Sequence, residues 1–210
     1  MYPTSRQPRT YHSALRSQQA AQTRERVLDA AAVCFAANGY GRTTLASIAE
    51  RAGVSVETVQ ANGPKRALLM ASFERVFTGD EGPRPVSETP TGQQILTEID
   101  LAGFRAALVA FLVAANSRGV RLWRAFEAAA DSDKEVMASL QQLWERRRID
   151  VTAAIAALIE RGAVISDPAA AADVLSFLIS PEGYEQLVLR AGWSNDTYAH
   201  WLDQAIEQLR

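Results

Sequence analysis

The sequence predicts an all-α fold, on three observations. Alanine, the best helix former, supplies 37 of 210 residues. The eight prolines fall at positions 3, 8, 64, 83, 85, 90, 168 and 181, so 9–63 and 91–167 contain none. Apolar residues in those stretches recur at helical spacing, and no alternating Val/Ile/Thr run marks a strand. The longest unbroken apolar run, Ala106 to Ala115, is ten residues long. A membrane span needs about 20, so no spanning segment and no membrane partner are expected.

The elements follow from local punctuation. A first helix is expected over 17–38, with Val27, Leu28, Ala31, Cys34 and Phe35 on one face and Asn38-Gly39 as its stop. A second spans 44–52, with Thr44 as N-cap and Leu45, Ile48 and Ala49 inward. Gly53 breaks it, Ser55 caps a third helix over 56–62, and Pro64 suits the first turn of a fourth, 64–78. Residues 79–92, rich in Gly, Pro and acid, read as a linker. Longer helices follow at 93–116, 118–130, 132–162, 168–179, 182–191 and 195–209, divided at Ser117–Gly119, Asp131–Asp133, Gly162–Asp167, Ser180-Pro181 and Gly192.

Charge divides the chain more sharply than its net −2 implies. Residues 1–78 carry 10 basic and 5 acidic side chains, whereas 79–210 carry 12 and 19. A basic front and an acidic back point to a nucleic-acid-binding segment joined to something else. Residues 1–16 are expected to form a flexible basic arm, because Pro3 and Pro8 oppose helix there. Arg6, Arg9 and Arg16 either reach a minor groove or form a tail without contacts.

Residues 44–59 have helix-turn-helix form. Two short helices that cross sharply need a junction residue tolerant of positive φ, which Gly53 supplies. Ala49 is small at the close approach, and Ile48, Val54 and Val59 can pack inward. Val56, Glu57, Thr58, Gln60, Ala61 and Asn62 would then project outward as candidates for base contact.

The stretches Thr23–Ala31, Cys34–Tyr40, Thr43–Ser55 and Lys65–Leu69 resemble the TetR family of bacterial transcriptional regulators. The resemblance implies an N-terminal three-helix DNA-binding domain (17–78) joined to a larger helical bundle (93–210) that binds an effector and dimerises. It implies a cytoplasmic homodimer on a near-palindromic double-stranded operator, most often a repressor released by an unknown small molecule. Thr44 and Lys65 take the places of phosphate contacts, with Arg42 beside them. After Val59 the sequence departs from the family pattern. Gln60 stands where a Tyr is usual, and the Asn62-Gly63-Pro64 turn is one residue short, so the family pattern does not fix the aim of the recognition helix here.

In the back half, Phe104, Leu108, Phe111, Trp123, Phe126, Trp144 and Arg148 are the candidates for an effector cavity within the bundle. Leu175, Leu178, Tyr184, Leu187, Trp201 and Ile206 are the candidates for a dimer interface, since they place much apolar surface near the chain end. No enzyme is expected: there is no glycine-rich phosphate loop and no nucleophile motif. One Cys and two His make a Cys/His metal site implausible, and no metal or cofactor is expected.

Overall fold

A computed structural model describes residues 10–79 and 81–209, with side chains from Arg16 onward. Arg6 and Arg9 of the expected arm lie outside the described residues. The helices are α1 (Thr10–Arg42), α2 (Leu45–Ala52), α3 (Val56–Ala61), α4 (Lys65–Thr78), α5 (Pro90–Leu96), α6 (Leu101–Ala130), α7 (Lys134–Glu160), α8 (Pro168–Leu178), α9 (Pro181–Tyr184) and α10 (Asn195–Glu207). A 3₁₀ turn at Val86–Glu88 precedes α5, and a π-helical turn at Glu185–Arg190 follows α9. Among the described residues there is no strand.

Local chemistry sets most boundaries. Asp100, Asp133 and Asp167 accept from backbone N–H groups in the first turns of α6, α7 and α8, and Ser180 does the same for α9. Such caps each contribute about 1 kcal/mol. Gly39 (φ 73°, ψ 170°) interrupts α1 where Asn38-Gly39 was expected to stop it, and the chain then resumes one further turn to Arg42.

The helix expected over 93–116 is split, α5 ending at Leu96 and α6 starting at Leu101 behind the Asp100 cap, and three further expectations differ from the structure. First, α1 starts at Thr10 and not near residue 17, because nothing in 10–16 opposes helix once Pro8 is passed. Second, Ser117–Gly119 does not divide α6. Gly119 is buried where α6 packs on α4, and a Cβ there would meet the Phe77 ring at 3.4 Å, an ordinary contact. Third, the segment 79–92 is partly ordered into the 3₁₀ turn and the start of α5, where Thr89 caps the helix and Pro90 opens it. By length and composition α6 is also apolar enough to cross a membrane, although its longest apolar run is only ten residues. Here it packs against α1, α4, α7 and α10.

Two apolar cores result. The first joins α1–α4 through Val27, Leu28, Phe35, Ile48, Val59 and Leu68, and continues into α6 (Leu122–Ala130) and α7 (Val136, Leu140). The N-terminal unit is therefore roofed by the larger bundle. The second core holds Phe104, Val109, Ile155, Leu175, Tyr198 and Leu202. Full burial of each large apolar side chain contributes roughly 1.5–3 kcal/mol. Polar groups also bind across the first core: the buried Ser72 hydroxyl donates to Leu28 O at 3.1 Å, tying α4 to α1.

Candidate functional site

The helix-turn-helix is built by reciprocal capping. Thr44 Oγ1 accepts from Ser47 N at 3.0 Å, and Ser47 Oγ accepts from Thr44 N at 3.1 Å. Just before it, the buried Thr43 hydroxyl lies 3.0 Å from Cys34 O and 2.8 Å from Gly39 O, which fixes α2 against the kink of α1. Gly53 adopts the left-handed conformation (φ 64°, ψ 41°) that the turn requires. Ser55 then caps α3 by accepting from Thr58 N at 3.2 Å.

Burial selects the face that α3 presents. Val59 is fully buried, and Val56 packs against the first core. Glu57, Gln60 and Ala61 are exposed. Thr58 is half-buried, its hydroxyl 3.1 Å from that of Ser55. Asn62 spends its amide on α3 itself, donating to Thr58 O at 2.8 Å. Of the six base-contact candidates, Glu57, Gln60 and Ala61 thus form the open face. The Glu57 carboxyl is held below the usual range, first by its own backbone N–H and then by Ser55.

The phosphate candidates gather beside α2. Thr44 and Arg42 are exposed, and Arg42 Nε donates to Asn38 O at 3.1 Å. Lys65 Nζ lies 4.3 Å from the Tyr40 ring centroid and 3.5 Å from Gly41 O, adjacent to Arg42. Partial burial lowers the Lys65 pKa. The Tyr40 pKa is raised by burial and then by the Asp133 charge.

Two arginines of α1 hold α3 at both ends, and sequence reasoning missed them. Arg26 Nη2 donates to Ala52 O at 2.5 Å and to Gly53 O at 3.2 Å, at the turn before α3. Arg24 Nη1 donates to Asn62 O at 2.9 Å, at the turn after it. Arg24 also pairs with Glu81, its Nε 2.8 Å from Oε1. No local signal marks either residue, because the partners lie 26 to 57 positions away.

A second site lies in the bundle. A cavity of about 140 Å³ opens between α4, α6, α7 and the strap 82–92. Phe104, Leu108, Phe111, Trp123 and Trp144 line it, as does Phe77 of α4. Phe126 is not on the wall; it lies in the first core, 5.8 Å from Phe73 by ring centroids. Arg148 is exposed and borders an outer groove with Phe177 and Glu182. Its neighbour Arg147 reaches the cavity wall, donating to Ser176 O at 2.7 Å and Oγ at 3.3 Å. Burial lowers the Arg147 pKa.

Carboxylates fasten the strap over this cavity. Asp150 accepts from Val86 N and Ser87 N, both at 2.9 Å, and from Ser87 Oγ at 2.8 Å. Glu74 accepts from Gly82 N at 3.1 Å and pairs with Arg146 at 3.0 Å. On the far wall Trp123 Nε1 donates to Glu182 Oε1 at 2.8 Å. Glu182 in turn helps to raise the neighbouring Glu127 to about 7, with burial the larger cause.

Of the dimer candidates, Leu175, Tyr184 and Ile206 are buried within the chain, while Leu178, Leu187 and Trp201 are half-buried against the second core. The exposed apolar residues of α8 are Val174 and Phe177, the latter 77% exposed. Among the described residues, no three His, Cys, Asp or Glu side chains come together to hold a metal ion.

Residues 27–60, which comprise the core of α1, all of α2 and most of α3, match the family model for bacterial regulatory proteins of the tetR family. Over these residues the chain is similar to the DNA-binding segment that the tetR-family model describes. Two uncharacterized HTH-type transcriptional regulators from strains of Mycobacterium tuberculosis are each 38% identical over 99 residues, 47% of this chain. The match spans 45% of each relative, about half its length. The whole fold is similar to solved structures. A protein assigned to the TetR family from Mesorhizobium loti MAFF303099 aligns with a TM-score of 0.63 and 20% identity over 90% of this chain and 95% of that one. SmeT, the repressor of the Stenotrophomonas maltophilia multidrug efflux pump SmeDEF, aligns at 0.56 and 23% identity over 87% and 88%. At such identities the likeness concerns the fold. The likeness to the tetR-family model over 27–60 and the likeness of the whole all-α fold are separate matches, one of sequence and one of shape.

Proposed function

We propose that this chain is a sequence-specific transcriptional regulator, working in the cytoplasm as a homodimer on a near-palindromic operator and released from it by a small molecule. The observation that carries the reading is the doubly capped helix-turn-helix, whose third helix turns Glu57, Gln60 and Ala61 outward while α1 arginines hold both of its ends. In this reading 17–78 is the DNA-binding unit, 79–92 the connection, and 93–210 the effector and dimerisation unit. The first turn of α3 enters the major groove. Gln60 reads adenine through its amide. Glu57, kept ionised, accepts from a cytosine amino group and excludes other bases. Thr44, Arg42 and Lys65 meet phosphate and set the register. The acidic bundle supplies the cavity for the effector, and α8 with α10 meets a second copy through Val174, Phe177, Leu178, Leu187 and Trp201, while Leu175, Tyr184 and Ile206, buried within the chain, support that face from below.

Titration of the full chain against duplex DNA from upstream of its own gene, by fluorescence anisotropy at two salt concentrations, tests this. Selective binding that weakens with salt is expected. Lys65→Ala should weaken binding on every sequence and reduce the salt slope by about one phosphate contact. Gln60→Ala should relax selectivity at one base pair, a loss of about 1–3 kcal/mol of discrimination. A selection from random genomic fragments that returns no preferred sequence would overturn the reading.

A further inference from the structure

We infer that the bundle cavity takes one uncharged, single-ring aromatic molecule; the inference rests on the cavity being the effector site. Size is the first argument. The cavity holds about 140 Å³. A protein cavity of roughly 150 Å³ lined by aliphatic and aromatic side chains binds benzene, so there is room inside for one ring with a small substituent.

The wall gives the shape. Phe73 and Phe77 stack at 5.5 Å between ring centroids, and Phe77 meets Phe111 edge to face at 6.3 Å. Phe73 lies 5.6 Å from Trp123. A flat ring entering this array meets faces and edges at the separations that aromatic pairs prefer.

Charge decides the class. Every carboxylate at the wall already accepts. Both oxygens of Glu74 are used, one by Arg146 and one by Gly82 N. Both oxygens of Asp150 hold the strap. Arg146 is given to Glu74, while Arg147 donates to Ser176 and is faced by the charges of Glu182 and Asp150. The indole N–H of Trp123 is given to Glu182. Arg84, also on the wall, is exposed and has a partner of its own. An ammonium entering here would lose its hydration and find both wall carboxylates committed, and a carboxylate would lose its hydration and have to draw Arg147 away from Ser176. A neutral ring has no such cost.

The test uses the full chain and three probes of one size: toluene, benzoate and benzylamine. Tryptophan fluorescence reports binding, since Trp123 and Trp144 both line the cavity, and thermal unfolding gives a second readout. Toluene is expected to bind at least tenfold more tightly than either charged probe and to raise Tm. Ala154→Phe, which fills the cavity from α7, should weaken toluene at least tenfold. Leu108→Phe serves as the second filling variant, so that a folding failure in one leaves the question answerable. Benzoate or benzylamine binding as tightly as toluene overturns the inference. So does toluene failing to bind up to aqueous saturation, or binding unchanged in a folded filling variant. The DNA titration on the same preparation separates the two ideas. Absent selective DNA binding removes the regulator, whatever toluene does; toluene binding that leaves DNA affinity unchanged removes the effector role and keeps the ligand class.

Discussion

Substituting Gly92 by alanine is the sharpest probe of the strap. A Cβ built on Gly92 lies 1.9 Å from Val86 O, 2.6 Å from its carbonyl carbon and 2.9 Å from Ser87 Cα. These are backbone atoms of the 3₁₀ turn, so no side chain can swing aside. Restoring an ordinary contact of 3.4 Å requires the turn to retreat by about 1.5 Å. That retreat stretches the 2.9 Å bonds that Val86 N and Ser87 N give to Asp150. Hydrogen bonds to a charged group contribute about 1.5–3 kcal/mol each, and partial exposure places these at the low end. Alanine in a helix regains about 0.5–1 kcal/mol over glycine. The net expected loss is about 2–3 kcal/mol, which for a chain of this size lowers Tm by roughly 4–12 °C. Circular dichroism at 222 nm measures it. Gly41→Ala, where an added Cβ meets no atom within 4 Å, should leave Tm nearly unchanged. Asp150→Asn should cost much of the same energy, and the double variant less than the sum, because both act on one turn. A Gly92→Ala protein as stable as the parent would refute the account of the strap.

Other outcomes follow from the same geometry. Arg24→Met and Arg26→Met should each weaken selective DNA binding by about tenfold, the value of one mis-aimed base contact, with little change in Tm; equal loss on all sequences would refute the clamp. Gly53→Ala should cost about 1–2 kcal/mol for forcing alanine into the left-handed region, with a further small loss as its Cβ meets Arg26 Nη2 at 3.2 Å, read by thermal unfolding. Glu127 sits at about 7 in the fold, above the ordinary carboxyl range, so the folded state holds a proton that the unfolded chain has released. Its contribution is whole below about pH 4.5 and is lost as pH rises toward 7. Glu127→Gln should therefore flatten the decline of Tm across that window, and an unchanged profile would refute the assignment.

Legibility tracked the range of the interaction. The caps at Thr44, Ser55 and Asp133, and the stops at Asn38-Gly39 and Gly53, act within four residues, and the sequence placed them directly. Gly119 shows the opposite case. As a letter it reads as a helix break, but it sits buried inside α6 against Phe77, 42 positions earlier, where an added Cβ would make an ordinary 3.4 Å contact. The arginines at 24 and 26 were unreadable for the same reason: their acceptors at the ends of α3 are carbonyls, which every residue carries. Helical spacing put Trp123 and Phe126 on one face, yet Trp123 reaches the cavity and Phe126 the first core, because α6 passes between both. Arg147 and Arg148 show how fine that division is. Arg147 lines both the cavity and the outer groove, whereas Arg148, 100° further round α7, borders the groove without reaching the cavity. The strap was the most misleading stretch. Its Gly, Pro and acidic residues are those of a linker, but here the proline opens α5, the glycine admits the turn, and Glu81 answers Arg24. The segment that walls the cavity is thereby bonded to the arginine that holds the end of α3.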